Sequence, residues 1–405
     1  MASTAAHPAG RSDAAPLSSK YVRRRVAVLT NIPAPYRLEF FRLLSEQHDL
    51  RVFFDAPSEP NRSWTTPPEL PFPHTYLKGD VIPYQRKRPD AVPEDERFRH
   101  LPYDLLLSLR RFRPEVIVSA ELGFRTLQAS LYASVYRVPL IIWWEGTLHT
   151  EGWVKPYRKL LRRLLIRRAR RFWSNGEESS RLLQSYGAEP SRIDNGMIGT
   201  NTHHLRAETD EATKTRDQTR RELGLSGVVL LYAGQFVKRK GIIEYLKALE
   251  ILRSNTAADF SALFVGEGPE KQLIEDWKRS RSDVRMSILG FQQPNHLPRI
   301  FAACDVFILP TLDDNWSLAA LEAAVAGVPQ VLSVYNGAST DLLGYDAPGI
   351  CIDPHDIHVF AEALKRYVEN PPERADNKSR KSIAEFFSAE AVALRACQSI
   401  GVLAK

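Results

Sequence analysis

Pro310-Thr-Leu-Asp-Asp-Asn-Trp-Ser-Leu-Ala-Ala-Leu-Glu322 reads as the carboxyl end of a strand, a short acidic loop and the start of a helix. The apolar run Val306 to Pro310 predicts the strand, closed by its proline. A helix is expected from about Trp316 to Ala326, with Asn315 as N-cap and Gly327 and Pro329 as the stop. Leu318, Leu321 and Val325 recur on one face, and Glu322 borders that stripe. A carboxylate beside an apolar face needs donors. A ribose diol would supply two; a neighbouring lysine or arginine is the ordinary alternative. Asp314 precedes the helix, where an acid also complements the helix dipole.

The same strand-to-helix alternation extends in both directions. Upstream in the second half come Val228 to Gly234, a helix Ile242 to Arg253, and strands Ser261 to Val265 and Met286 to Leu289; Gln330 to Val334 follows. In the first half, Arg25 to Thr30 leads into a helix Tyr36 to Leu44, with further buried strands at Glu115 to Ala120 and Val138 to Trp144. Such alternation implies parallel sheets covered by helices. A polar stretch, His203 to Glu222, separates two such series and is expected to connect two domains. The expected division is a disordered tail over 1–22, a first domain over 23–205, a connection over 206–226, a second domain over 227–380, and a C-terminal helix over 381–405 that packs back on the first domain. In folds of this class ligands sit at the carboxyl ends of strands, beside helix N-termini.

Composition narrows the function. At 405 residues, 43% hydrophobic and 25% charged, the chain suits two or three globular domains rather than a disordered or coiled-coil protein. Apolar runs such as Val138 to Trp144 are far shorter than the ~20 residues a membrane-spanning helix needs. Three scattered cysteines suit a reducing cytosol, and residues 1–20 carry no apolar core of a secretory leader. The net charge of +7 favours an anionic partner.

Three features carry candidate chemistry. Gly234-Gln-Phe-Val-Lys-Arg-Lys-Gly241 joins a strand end to a helix start and reads either as a pyrophosphate clamp or as a solvated basic loop. The Asp314-to-Glu322 segment is the second. The third, Lys155 to Arg171 (KPYRKLLRRLLIRRARR), is a basic helix that either meets an anionic membrane or lipid diphosphate, or covers the sheet with its basic face in water. No nucleic-acid module accompanies the charge, so no nucleic-acid partner is expected. His203-His204 lacks a second ligand pair, and no protein-bound metal is expected.

The Asp314-to-Glu322 spacing resembles the E-x7-E motif of family 4 glycosyltransferases. Tyr232-Ala-Gly-Gln-Phe-Val-Lys-Arg-Lys-Gly241, Phe264-Val-Gly-Glu-Gly-Pro269, Leu289-Gly-Phe291, Ala303-Cys-Asp-Val-Phe-Ile-Leu-Pro310 and Ala323 to Pro329 resemble further family segments in the same order. The similarity runs from about 228 to 370. In the first domain it is looser: Asn31-Ile-Pro-Ala-Pro-Tyr-Arg37 stands where many members have a glycine loop. Ser174 begins a stretch similar to the family's serine-led turn. Gly199-Thr-Asn-Thr202 resembles its hinge. Glu145 occupies the place of a histidine near the donor sugar, with His149 a second candidate; a salt-bridge role for Glu145 is the alternative.

The resemblance implies an α/β fold of GT-B architecture, two facing Rossmann-like domains with a cleft between them, and a retaining transfer from a nucleotide diphosphate sugar to an acceptor hydroxyl. It implies catalytic roles for Asp314, Lys240 and Glu145. Substrate contacts are expected from Gln235, Ser317, Leu318, Glu322, Gly290, Phe291, Asn31 and His149. Gln235 departs from the family's arginine, and Asp314 from its glutamate. The donor is a substrate and no cofactor is expected. The expected acceptor is a surface saccharide or lipid-linked glycan, met in the cytoplasm or at the inner face of the membrane. A nucleotide-sugar epimerase and a silent GT-B binding scaffold are the alternatives.

Overall fold

The computed structural model describes residues 22–60, 67, 69–84, 97–345 and 347–403. The expected disordered tail lies outside the described residues, except for Val22.

Two parallel sheets organise the chain. The first contains β1 (Arg25–Thr30), β2 (Asp49–Phe54), β3 (His74–Tyr76), β6 (Val116–Ala120), β7 (Leu140–Trp144), β8 (Arg171–Ser174) and β9 (Ile193–Asp194), in the order β3-β2-β1-β6-β7-β8-β9. Between β3 and β6, an antiparallel pair, β4 (Gly79–Tyr84) and β5 (Arg97–Pro102), stands apart from it. The second sheet contains β10 (Val228–Ala233), β11 (Phe260–Val265), β12 (Arg285–Leu289), β13 (Val306–Leu309), β14 (Gln330–Ser333) and β15 (Gly349–Ile352), in the order β12-β11-β10-β13-β14-β15. All neighbours within these two sheets are parallel. Their strands are buried on both faces, which is why Val28, Ile117, Leu231 and Ile308 read as continuous apolar runs.

Helices close both faces of each sheet. On one face of the first, the helices Leu105–Phe112, Phe124–Tyr136, Pro156–Arg168 and Glu177–Ser185 share a core with Ile117 and Ile142. On the other, the helix Pro35–Gln47 packs with the C-terminal helix Ala389–Val402, whose Val392, Ala396 and Ile400 enter the core of the first sheet. The chain therefore passes between the domains twice. The two passages lie side by side: Thr200 donates its N–H to the Phe387 carbonyl, at 3.1 Å, and Ala389 donates to the Thr200 carbonyl, at 3.2 Å.

The polar stretch after His203 forms two helices, Thr202–Thr213 and Arg216–Glu222. Arg216 and Arg220 both clamp Asp305, just before β13, so this segment is fastened to the second domain.

Candidate active site

Both sheets reverse direction of strand order once. In the second, β11 lies on one side of β10 and β13 on the other, so a crevice opens at the carboxyl ends of β10 and β13. The basic loop leaves β10 at this point and the acidic loop leaves β13. Gly241 joins them. Its φ is 73°, and a Cβ there would overlap the carbonyl oxygen of Pro310. Only glycine permits both the left-handed backbone and the close approach. The Leu312 N–H then donates to the Arg239 carbonyl at 2.8 Å.

This docking brings Lys240 Nζ onto Asp314 Oδ2 as a largely buried ion pair, with side chains 12% and 13% exposed. Arg239 donates to the Asp313 carbonyl at 3.2 Å. The Asp314 N–H donates to the Tyr335 carbonyl, which ties the acidic loop to the end of β14. Gln235, in the same basic loop, is partly exposed; its carbonyl accepts from Tyr232 Oη at 2.9 Å. The turn Gly266-Glu-Gly268 after β11 lies under Gly234 and Phe236, with Phe236 donating to the Glu267 carbonyl at 2.8 Å. Gly290 and the exposed Phe291 follow β12, beyond Glu267. The carboxyl ends of β12, β11, β10, β13 and β14 thus present one row of loops.

The helix after β13 is shorter than expected, Leu318–Val325, and its N-cap is Ser317 rather than Asn315. The chain is still extended at Ser317, whose Oγ accepts from the Ala320 N–H at 3.3 Å. Asn315 lies two residues before this cap, and its carbonyl packs on Gly337, where a Cβ would overlap it. The first-turn N–H groups of this helix, including that of Leu318, have no intrahelical acceptor. Glu322 sits one turn further along. Its carboxylate meets no donor or cation among the described residues, and burial alone pushes it up to about 7. The residue keeps a partial opening to solvent.

The first domain contributes at the carboxyl ends of β1, β2 and β7. His149 crosses to the second domain: Nε2 meets the Leu312 carbonyl at 2.9 Å, and the ring stacks on Tyr335 with centroids 4.5 Å apart. Glu145 forms an ion pair with the buried Arg37, which also donates to Thr30 Oγ1 at 3.2 Å and lies over the Trp143 ring. Asn31 donates to Glu59 Oε1 at 3.3 Å, and the same oxygen meets His100 Nε2 at 2.9 Å. Asp55 is buried against Arg125, and burial pushes its carboxyl up to about 6 despite that cation. The sequence reading missed Arg37, Asp55, Glu59, His100, Arg125 and Tyr335. Of these, only Arg37 lay within a stretch marked by a motif.

The structure thus brings Lys240, Asp314 and His149 to one loop, Thr311 to Asn315. Asn31 and Glu145 are joined on the first domain through Arg37 and Thr30, whose Oγ1 donates to Asn31 Oδ1 at 3.3 Å, and Gly290 and Phe291 stand at the far end of the row.

A pair of switch-point sheets with a basic loop and an acidic helix start defines a two-domain α/β protein with a crevice at its strand ends. Residues 215–383 match the family described as glycosyl transferases group 1, and residues 33–195 the glycosyl transferase 4-like domain. The chain belongs to these GT-B glycosyltransferases of the family 4 type. Two relatives show the range. A Bacillus subtilis glycosyltransferase named for teichuronic acid biosynthesis, TuaC, is 29% identical over 211 residues, 51% of each chain. The D-inositol 3-phosphate glycosyltransferase of Pseudarthrobacter chlorophenolicus is 27% identical over 267 residues, 60% of each chain. The chain spans about half the length of the first of these relatives, at 51%, and 60% of the second. Among solved structures, HepE of Anabaena in complex with UDP superposes with a TM-score of 0.68 at 14% identity, over 93% of this chain and 100% of that one. A glycosyltransferase of Rickettsia africae gives 0.70 at 11% identity, over 95% and 100%. These establish the GT-B fold.

Proposed function

We propose that the protein transfers a sugar from a nucleotide diphosphate sugar to an acceptor hydroxyl, with retention at the anomeric carbon. The observation that carries the reading is the meeting of Lys240 and Asp314 across the switch-point crevice, at the mouth of the cleft that His149 spans. In this reading the ribose hydroxyls donate to Glu322, whose carboxylate otherwise has no partner. The diphosphate lies over the N–H groups of Ser317 and Leu318, with Lys240 and Gln235 beside it. Asp314 turns to the sugar hydroxyls as Lys240 turns to phosphate. Gly290 and Phe291 flank the base. Glu145 and Asn31 belong to the first domain's side of the cleft and act on the sugar or acceptor, Glu145 oriented by Arg37.

The reaction forms a bond from the acceptor oxygen to the anomeric carbon and breaks that carbon's bond to the phosphate oxygen. The acceptor proton passes to the departing phosphate, and nucleotide diphosphate leaves. Lys240 and the helix N–H groups stabilise the charge that develops there. No metal is required in this scheme, since fixed cations and N–H groups supply the positive field. HepE is described in complex with UDP-glucose, which makes that donor the first to try. A saccharide or lipid-linked acceptor in surface glycan assembly is the corresponding pathway, with an anionic membrane surface as the accompanying partner.

The test is donor turnover and donor binding, measured for UDP-, GDP- and ADP-sugars. Lys240→Ala should lower kcat roughly a hundredfold, the ~3 kcal/mol typical of one positioned oxyanion donor. Glu322→Gln should raise the donor Kd with less effect on kcat, because the ribose does not change during reaction. Parent-like kinetics and binding in both folded variants would remove the site assignment.

A further inference from the structure

A cavity of about 340 Å³ lies on the first domain where the C-terminal helix passes the edge of the sheet, large enough for a small molecule. Arg171, Asp194 and Asn195 line it from β8, β9 and the residue that follows; Arg395, Gln398 and Ser399 line it from Ala389–Val402. None of these residues is among those assigned above to donor or acceptor.

The charges of the lining do not cancel. Asp194 is engaged on both oxygens: it accepts from Arg171 at 2.5 and 2.9 Å, and from Ser399 Oγ at 2.6 Å. Ser399 in turn accepts from Trp173 Nε1 at 2.8 Å. Arg395 has no such carboxylate among the described residues. Its Nη2 donates to the Gly196 and Phe386 carbonyls, at 2.7 and 2.8 Å, and its guanidinium lies over the Phe386 ring. Among the described residues its Nε is buried with no acceptor, and Nη1 makes no hydrogen bond. Burial brings this guanidinium down to about 10. A cation drawn out of water without a counter-charge is costly, and an anion beside it offsets that cost. Asn195 and Gln398 are exposed. Asn195 Oδ1 accepts from the Gly196 N–H at 2.8 Å, which leaves its amide nitrogen as the group available to a ligand.

We propose that this cavity binds a small organic anion, its phosphate or carboxylate group on Arg395 and its polar body against the amides of Asn195 and Gln398. The place gives the ligand an effect. Gly196 lies just before the first passage between the domains, at Thr200, and Phe386 just before the second, at Phe387 to Ala389. Arg395 holds the carbonyls at both approaches. An anion that fixes its guanidinium steadies the two passages together, from a site apart from the switch-point crevice. The site does not depend on the transfer reaction.

Calorimetric titration of the full chain tests it, with glycerol 2-phosphate and citrate at constant ionic strength and glycerol as the neutral control. At least one of the two anions should bind at one site per chain, and glycerol should not; which anion binds separates phosphate from carboxylate. Gln398→Glu places a carboxylate one helical turn from Arg395. It should raise the melting temperature by supplying the missing counter-charge, and weaken anion binding at least ~10-fold. Arg395→Gln should lose binding too, and Gln398→Glu decides the matter if that variant does not fold. Lys240→Ala should bind the anion as the parent does, which separates the cavity from the donor crevice. The bound anion should slow amide hydrogen exchange over 196–202 and 386–389. A parent that binds neither anion, or a folded Gln398→Glu that binds as the parent does, overturns the proposal. So does binding that Lys240→Ala removes, and unchanged exchange with anion bound overturns the link to the passages. Failure of every nucleotide sugar as a donor would instead count against the transferase reading alone.

Discussion

If ribose hydroxyls bind Glu322 as proposed, it couples nucleotide binding to protons. Its folded-state carboxyl lies at about 7 against an ordinary 4.5, through burial alone. Between those values the folded state holds a proton the unfolded chain has lost, so stability falls as pH rises through the window, and the cost is fully present above about 7. Ribose hydroxyls donate to the ionised form and would drive the proton off. Affinity for a nucleotide sugar should therefore rise from pH 6 to pH 8, with proton release near neutrality. Calorimetry in buffers of different ionisation enthalpy measures it, and Glu322→Gln should show neither. Lys240 should have a second effect beside the catalytic one proposed for it. Removing one member of a buried ion pair leaves the other uncompensated and typically costs ~3–5 kcal/mol. Lys240→Ala should lower the melting temperature, and Lys240→Ala/Asp314→Asn should regain much of it without regaining turnover. A double mutant as unstable as Lys240→Ala would mean that the pair carries little of the loop's stability.

At the scale of elements, the active loops depend on close backbone approaches. Gly241→Ala forces a left-handed residue to carry a Cβ, about 1 kcal/mol in itself, and drives that Cβ into the Pro310 carbonyl. The basic and acidic loops should separate, and donor affinity should fall further than global stability. Titration beside thermal melting distinguishes the two. The strands that position these loops were legible, because β1, β6, β7, β10, β11 and β13 are buried on both faces and mostly apolar. The sequence marked the segments that carry Lys240 and Asp314 but not their ion pair, which depends on β10 and β13 being neighbours. The hairpin β4–β5 was not legible: GDVIPY and RFRHLP carry few apolar residues, and each contains a proline. Nor were Glu59 with His100 or Arg37 with Glu145, since such pairs join residues far apart in sequence and no periodicity encodes them.

Across the whole molecule, Asp341 is a latch between the domains. It accepts from Trp316 Nε1 at 2.8 Å in its own domain and from the Glu177 N–H at 3.0 Å in the other. Gly176 leaves the space it needs, since a Cβ there would overlap the carboxylate. Asp341→Ala should loosen the approach of the domains, seen as a larger radius of gyration by solution scattering and a raised KM for both substrates. An unchanged radius and unchanged KM would show that the other contacts suffice. The paired passages at Thr200 and Ala389 have a different consequence, which concerns synthesis. Residues that complete the first sheet's covering, Val392, Ala396 and Ile400, are made after the strands of the second domain. Phe40, Leu43 and Leu44 are made some 350 residues earlier and, though Phe40 already meets Trp143 and Trp173, lack that last part of their cover until then. The second domain, made later, has its core residues in hand first. The core of the first domain should thus be completed after that of the second, and a nascent chain stalled near Phe386 should show a chaperone the part of helix Pro35–Gln47 that Ala389–Val402 covers.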